Sequence, residues 1–152
     1  MRASPIAGSG EFAREAIAAG EVLKRLGGRV VSEVEMRVVQ ESGRPYSALR
    51  IDGDWHLLMA LDDPASRGNH SCDPNAWLDG PFTVVARRDI APGDEVTTDY
   101  AMMTDDPVWS MACACGARNC RGVVTGQDWR RPDLQAAYRG HFTPHLGRPP
   151  SG

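Results

Sequence analysis

The hydrophobic positions of this chain fall into short runs that glycine and proline interrupt at close intervals. Residues 29–39 mix β-branched apolar residues with charged ones, a pattern that predicts one long strand or a pair of strands. Residues 46–51 and 54–58 flank an Asp-Gly dipeptide at 52–53, which predicts a β-hairpin. The first half of the chain is therefore expected to be built from short strands.

The second half continues the same pattern. Residues 82–86 predict a strand, and residues 95–100 predict another that leads out of a turn at 91–94. Strands at a spacing of about ten residues indicate a mostly-β domain rather than a βαβ fold. Two helices are predicted, a weak one at 11–19 and one at 132–138 with Pro132 in its first position.

Composition narrows the class of protein. The chain has 152 residues, enough for one domain, and its 41% hydrophobic and 24% charged residues are typical of a soluble globular protein. A formal net charge of -3 offers no general attraction to nucleic acid, so no direct nucleic-acid binding is expected. The sequence shows neither a membrane-spanning apolar run nor a signal-peptide core, so a cytoplasmic location and no membrane partner are expected.

The cysteines carry the first chemical signal. Three of the four, Cys113, Cys115 and Cys120, form a C-x-C-x4-C clause, and Cys72 lies upstream. Four thiolates make a closed tetrahedral site for structural zinc, and Gly116 suits a loop that folds around a metal. Disulfides or unengaged thiols are the alternatives, and a reducing compartment favours the metal over cross-links.

Several separated motifs together resemble one family, the SET-domain methyltransferases. Residues 69–75 (NHSCDPN) resemble its NHSC-x-PN signature, and residues 93–100 (GDEVTTDY) resemble its GEE-hydrophobic-x-x-DY signature. Residues 113–122 resemble its zinc-binding post-SET clause, and residues 8–13 and 17–21 fit its opening G-x-G and I-x-x-GE. The chain is therefore similar to a compact, bacterial-like SET domain with a post-SET tail.

The resemblance implies a β-clip-like fold of several small sheets, in which the DY segment passes beneath a loop near the NHSC clause as a pseudoknot. One zinc ion would hold the tail in place over the active site, and a short helix would follow the zinc-binding segment. The implied boundaries are a SET domain at 5–104, a post-SET zinc segment at 105–125 and a helical tail at 126–146. Residues 147–152, rich in Pro, Gly, Ser and Arg, are expected to be disordered.

The resemblance also implies a reaction, the transfer of a methyl group from S-adenosylmethionine to a lysine amine of a protein or peptide. Tyr100 is the implied catalytic residue, because its hydroxyl would orient the methyl group and the incoming nitrogen. For Trp129, stacking on the cofactor adenine and burial under the last helix are alternatives. The implied cofactor-binding residues are Gly10, Glu11, Phe12, Asn69, His70, Tyr100 and Trp129.

The substrate channel departs from the family pattern. Thr98 stands where many members carry a Phe or Tyr that limits the number of methyl groups, and Leu78 stands in a region that offers no tyrosine. Tyr46 is a third candidate for the channel, with ordinary sheet packing as its alternative. A less phenolic pocket could also accept a small-molecule amine or a short biosynthetic peptide. A third hypothesis, an inactive module that binds a partner, is opposed by the intact Tyr100, Asn69 and His70.

Overall fold

A computed structural model describes residues 1–63 and 68–147, which form a mostly-β domain. Its strands make four small sheets, as expected from the sequence. The strands are β1 (Arg2–Ala3), β2 (Ser9–Phe12), β3 (Val22–Arg25), β4 (Arg29–Ser32), β5 (Ser47–Asp52), β6 (Trp55–Met59), β7 (Asn69–His70), β8 (Ala76–Asp79), β9 (Thr83–Ala86), β10 (Glu95–Thr98), β11 (Ser110–Ala112) and β12 (Val123–Thr125).

The helical elements are short. They are α1 (Glu33–Glu41), α2 (Pro132–Ala137) and α3 (Pro144–Gly147), with 3₁₀ turns at Tyr100–Met102 and Asp128–Arg130. Within the two described ranges, none of these helices has the length and apolar content needed to cross a bilayer. The prediction of α2 with Pro132 at its start is confirmed.

One sheet brings distant parts of the sequence together. Its strand order is β1-β2-β10-β7, in which β10 pairs antiparallel with β2 and parallel with β7. Asn75 fastens the crossing, since its side chain donates to the Glu95 carbonyl (2.8 Å) and accepts from the Thr97 amide (2.9 Å). The DY segment thus runs directly beside the NHSC segment. This sheet holds every strand of the predicted cofactor site.

The other sheets surround this centre. They have the orders β3-β9-β8, β4-β6-β5 and β11-β12. The predicted hairpin is confirmed as β5 and β6, with Gly53 in the turn at a φ of 51° that favours glycine. Leu49, Ile51 and Leu57 of this hairpin point to one face and form a buried cluster.

The interpretation of residues 29–39 as strand throughout is wrong. Only Arg29–Ser32 is a strand, and α1 follows at once. Ser32 is the N-cap, and its side chain accepts from the amide of Glu35 (3.3 Å), while the Glu35 carboxylate accepts from the amide of Ser32 (2.9 Å). This reciprocal capping box satisfies free amides at the helix start and outweighs the β preference of the three valines in α1.

The weak helix predicted at 11–19 is also wrong. Residues up to Phe12 lie in β2, where Phe12 pairs with Glu95, and Ile17 forms an isolated bridge with Ile90. Strand pairing across the chain has overridden a weak local helix pattern.

The tail folds back on the domain. A cluster of buried side chains joins the 3₁₀ turn after β10 to the last helices. Its members are Ala101, Met102, Leu134, Tyr138, Phe142 and Leu146. Met103 packs against this cluster and against those of both neighbouring sheets. Gly147 ends α3 rather than beginning a disordered segment, and residues 148–152 of that prediction lie outside the described residues.

Candidate functional site

Tyr100 stands at the junction of the site. It begins the 3₁₀ turn after β10, and its hydroxyl donates to the carbonyl of Gly68 at 2.7 Å. Its ring lies 5.3 Å from that of His70 and 6.2 Å from that of Trp109, centroid to centroid. Burial raises the pKa of the Tyr100 hydroxyl, so this group stays neutral at physiological pH.

Asp99, the residue before it, is fully buried in a cluster of polar groups. Arg121 donates to both carboxylate oxygens at 2.7 Å, and the Tyr138 hydroxyl donates to Oδ2 at 3.1 Å. Arg121 Nε also lies 2.9 Å from the carboxylate of Asp128. The contact with Asp99 raises the pKa of Arg121, although burial acts against it. These residues and His70 are called the Asp99 cluster below.

His70 joins this cluster to the cysteines. Its Nδ1 accepts from the backbone amide of Tyr100 at 3.2 Å, and its Nε2 lies 3.3 Å from the sulfur of Cys72. Because Nδ1 is an acceptor, the proton of the neutral ring belongs on Nε2, where it can be donated to Cys72. Burial lowers the pKa of His70, although the nearby Asp99 carboxylate acts in the opposite direction. The lowered pKa favours the neutral form of the ring.

The four cysteines meet as predicted. The sulfur atoms of Cys72, Cys113, Cys115 and Cys120 all lie within 4.8 Å of one another, and two of the separations are 3.7 and 3.9 Å. A tetrahedron with zinc–sulfur bonds of about 2.3 Å has edges of roughly 3.8 Å. The sulfur positions therefore fit a zinc ion, and the four cysteines are free of disulfides.

Backbone amides are aimed at these sulfurs. The amide of Cys72 points at the sulfur of Cys115 and that of Arg121 at the sulfur of Cys72, each at 3.4 Å. Burial works to raise the pKa of Cys115, but such amide donors bring it down to about 6. Burial raises the pKa of Cys113 to about 12. The amide that points at Cys115 thus favours its thiolate, which is the form that binds a metal ion.

The predicted cofactor strand is held tightly from one side. The Asn69 side-chain amide donates to the carbonyls of Ala7 (3.1 Å) and Ser9 (3.4 Å) and to the carboxylate of Glu95 (2.6 Å). A Cβ at Gly10 would overlap the Glu95 carboxylate and lie 3.2 Å from Asn69 Nδ2. A side chain at Gly10 would therefore displace the Glu95 carboxylate from its contact with Asn69. The side chains of Asn69 and His70 both bond within the protein, and their backbone lies in β7, which pairs with β10.

A cavity of about 380 Å³ opens on the other side of Tyr100. Its walls are mostly apolar, and Glu11, Thr98 and Tyr100 are among the predicted site residues that line it. This space is called the Tyr100 cavity below. Its other lining residues are Lys24, Leu26, Ser47, Ala48, Leu49, Arg50, Met59, Gly68, Val84, Val96, Met103, Thr104, Asp105 and Trp109.

A second hollow adjoins the Tyr100 cavity and shares Tyr100 and Trp109 with it. Tyr46 lines this second hollow, together with Met36 of α1. Leu78 lies apart from both spaces, because it is fully buried against Ala76 and Val84. Thr98 and Tyr46 are therefore placed beside Tyr100, whereas Leu78 is part of the core.

Two predicted cofactor residues have protein partners of their own. The Phe12 ring lies under the guanidinium of Arg2, at 3.8 Å from its centre. Trp129 packs against the buried cluster under the last helices, which supports the packing alternative for this residue. Its carbonyl also accepts from the Gln135 side chain at 2.5 Å.

Sequence reasoning missed Arg121, Lys24 and Trp109. Arg121 directly follows the last cysteine, and a lone arginine beside a zinc clause carries no local sign of a buried partner. The sequence contains one sign that Lys24 is unusual, because it is the only lysine in the chain. Trp109 lies between the DY and cysteine motifs and belongs to neither.

Comparisons with known proteins agree with this geometry. The family model described as SET domain matches residues 8–101. A histone-lysine N-methyltransferase, H3 lysine-4 specific, from Cryptococcus neoformans is 34% identical over 133 residues, covering 78% of this chain and 9% of that protein. The histone-lysine N-methyltransferase TRX1 of Oryza sativa is 33% identical over 136 residues, covering 80% of this chain and 13% of that protein. This chain therefore spans only a small part of these relatives.

Solved structures show the same fold. KRYPTONITE, in a crystal structure with mCHG DNA and SAH, superposes with a TM-score of 0.61 and 26% identity, covering 80% of this chain and 27% of that one. The protein ctPRC2, in an autoinhibited conformation bound to S-adenosylmethionine, gives a TM-score of 0.54 at 21% identity, covering 65% of this chain and 14% of that one.

Proposed function

The chain belongs to the SET-domain family, and from that premise we propose that it transfers a methyl group from S-adenosylmethionine to the side-chain amine of a lysine in a protein. The observation that carries the proposal is the position of Tyr100, whose hydroxyl faces a half-enclosed cavity while the rest of the residue is fixed by neighbours. The relatives named above are described as histone-lysine methyltransferases, which supports the same activity.

The cofactor would lie along β2 and the backbone of Asn69 and His70. Gly10 brings this strand close to Glu95 and Asn69, so its edge is fixed before any ligand arrives. S-adenosylmethionine supplies an electrophilic methyl group, and the amine of the substrate is the nucleophile, so the protein contributes alignment. The named structures with SAH and S-adenosylmethionine support this choice of cofactor.

Tyr100 would align the incoming amine. Its proton is committed to the carbonyl of Gly68, so the lone pairs of its oxygen are available to accept an N–H from the substrate. A lysine amine has an ordinary pKa of about 10.4, and deprotonating it at pH 7 costs roughly 5 kcal/mol. Because burial raises the pKa of Tyr100, its hydroxyl stays protonated and does not act as the base. The amine would lose its proton to water before transfer.

The four cysteines would hold one structural zinc ion. Cys120 and Arg121 are consecutive, so a metal at this place fixes the arginine that reaches Asp99. The post-SET zinc segment and the cytoplasmic location remain predictions from the sequence.

A small-molecule amine is the second candidate substrate. The volume of the Tyr100 cavity, about 380 Å³, falls within the range of small-molecule sites. Thr98 lines it where many family members carry a Phe or Tyr, which leaves room for a branched or already methylated amine.

The test is transfer of labelled methyl groups from S-adenosylmethionine into a cell lysate that is then divided into protein and small-molecule fractions. Label on lysine in the protein fraction is expected. Label confined to small molecules would replace the first candidate by the second. No label in either fraction, from a protein that is folded and zinc-loaded, would contradict the proposed activity.

The Thr98→Phe variant refines this assay. A ring in the cavity beside Tyr100 should reduce the number of methyl groups placed on each amine. An unchanged product distribution would show that Thr98 does not contact the substrate amine.

A further inference from the structure

Lys24 is the only lysine in the chain, which otherwise carries its positive side chains as arginine. It lies in β3, and its side chain lines the Tyr100 cavity. The chain therefore holds the one side chain of the proposed substrate type inside the space proposed for the reaction.

Two distances locate the amine. Lys24 Nζ lies 2.8 Å from Oε2 of Glu11, with 18% of the lysine and 21% of the glutamate side chain exposed. It also lies 3.6 Å from the place that a Cβ on Gly68 would occupy. The carbonyl of Gly68 is the acceptor for the Tyr100 hydroxyl. Nζ thus sits between the strand proposed for the cofactor and the residue that orients the proposed catalytic hydroxyl.

We propose that Lys24 is a self-methylation site, modified within its own cavity by the cofactor that the same molecule binds. The proposal rests on the proposed function, since it needs S-adenosylmethionine bound along β2. It goes beyond that function in naming an acceptor that is part of the enzyme.

Glu11, whose carboxylate lies 2.8 Å from Lys24 Nζ, is the proton acceptor for this reaction. The ammonium proton of Lys24 passes to the Glu11 carboxylate, and the neutral amine attacks the methyl carbon. The carbon–sulfur bond breaks, its electron pair stays on sulfur, and the products are N-methyl-lysine and S-adenosylhomocysteine.

Methylation would change the cavity without changing its charge. A methylated amine remains cationic and keeps its attraction to Glu11, but each methyl group replaces an N–H donor and adds bulk. The space beside Tyr100 becomes narrower and more apolar. We therefore expect the modified enzyme to bind external amines more weakly than the unmodified one.

The direct test is to incubate the purified full chain with S-adenosylmethionine and to measure its intact mass. An increase by whole methyl groups is expected. Cleavage after glutamate should place the added mass in the peptide from Val22 to Glu33, which contains Lys24. The rate per molecule should not depend on protein concentration, because acceptor and donor share one molecule. A rate that rises with concentration would overturn the proposal.

Three variants make the assignment specific. Lys24→Arg keeps a cation for Glu11 and should abolish the mass increase, with its melting temperature and zinc content showing that it is folded. Tyr100→Phe should strongly reduce the increase. In Lys24→Arg combined with Arg25→Lys, a lysine is present one position along the strand on its exposed face. This double variant should remain unmodified, since its amine points away from the cavity.

The outcomes separate this proposal from the proposed function. Label on lysate proteins together with an unmodified Lys24 would overturn self-methylation and leave the function standing, with Lys24 an ion-pair partner of Glu11. An unmodified Lys24 and no labelled acceptor of any kind would contradict both. Equal modification of Lys24 in the Tyr100→Phe variant would show that the cavity chemistry is not responsible.

Discussion

Asp99 and Tyr100 are consecutive in sequence, yet they face two regions with opposite physical character. The Asp99 cluster is sealed: Asp99 has no exposed surface, and charged or polar donors satisfy its carboxylate. The Tyr100 cavity is half-enclosed and mostly apolar, with the ion pair of Lys24 and Glu11 in its wall. One peptide unit therefore joins a region built to stay fixed to a region open to ligands.

The difference shows how the side chain proposed for catalysis can be held without being enclosed. A buried carboxylate is costly unless it is paired, and once paired it tolerates few alternative arrangements. The backbone amides of Tyr100 and Ala101 are bonded to His70 Nδ1 and Asp99 Oδ1. The Asp99 cluster thus positions the backbone of Tyr100, and only its side chain extends into the cavity.

Removal of the metal should have the largest effect on this arrangement. Structural zinc contributes about 10–16 kcal/mol in small zinc-binding peptides, so its loss should release the tail and, with it, Arg121. Cys113→Ser or treatment with a chelator should abolish zinc by elemental analysis and raise hydrogen exchange in β12 and α2. A native protein without metal, in which all four thiols titrate freely, would contradict the zinc site.

Breaking the arginine–aspartate pair inside the Asp99 cluster should come next. Arg121→Met leaves a buried carboxylate without its main partner and should reduce the free energy of unfolding by about 3–5 kcal/mol in urea denaturation. Arg131→Met is the matched control, because it breaks an exposed pair with Asp133 (3.0 Å) that water screens. Equal free energies of unfolding for the two variants would mean that the buried pair does not stabilise the fold.

Two tyrosine-to-phenylalanine variants separate the regions most sharply. Tyr138→Phe removes a donor to Asp99 and should cost about 1–3 kcal/mol of stability, while turnover of the folded protein is largely kept. Tyr100→Phe should keep the fold and the cofactor affinity but lose most of its turnover, because the lost hydroxyl acts on the transition state. The opposite pattern would reverse the roles assigned to the two sides.

The smallest expected effect is a pH dependence of stability at the rim of the cavity. Burial lowers the pKa of His145, although the carboxylate of Asp105, 3.6 Å away, opposes this. The unfolded chain therefore binds a proton at higher pH than the folded one, and stability falls as pH drops below the ordinary histidine value of about 6.5. His145→Gln should flatten the profile of unfolding free energy between pH 7 and 5. An unchanged profile would assign the dependence to other groups.

The parts of the fold predicted from sequence are those with strong local signals. The Asp-Gly hairpin, the strand that leads to the DY motif and Pro132 at a helix start each depend on neighbouring residues. The strand is shorter than predicted, since it ends at Thr98 and a 3₁₀ turn begins at Tyr100. The strand prediction is wrong at α1 because two local signals compete there. The β-branched residues favour a strand, whereas the Ser32–Glu35 capping box favours the start of a helix. A prediction in such a segment depends on which signal is stronger, the β propensity of its residues or the cap at its start.

The candidate site was predictable in its residue types but not in the direction of its side chains. Asn69 and His70 were expected to contact a cofactor, and their side chains instead bond Glu95 and Tyr100 within the protein. Arg121 meets Asp99 across a separation of 22 residues, and Lys24 meets Glu11 from a different sheet. These contacts depend on how sheets cross, which the sequence pattern of any one strand does not encode.

The strand order β1-β2-β10-β7 has a consequence for the course of folding. The β5–β6 hairpin can close over a few residues, whereas Val96 must find Glu11, and Thr97 must find Asn69, across long stretches of chain. Loop-closure entropy makes such distant pairings slow relative to local ones. We therefore expect the β5–β6 hairpin to form early and β2, β10 and β7 to pair late. The candidate site would then be assembled only in the last steps of folding.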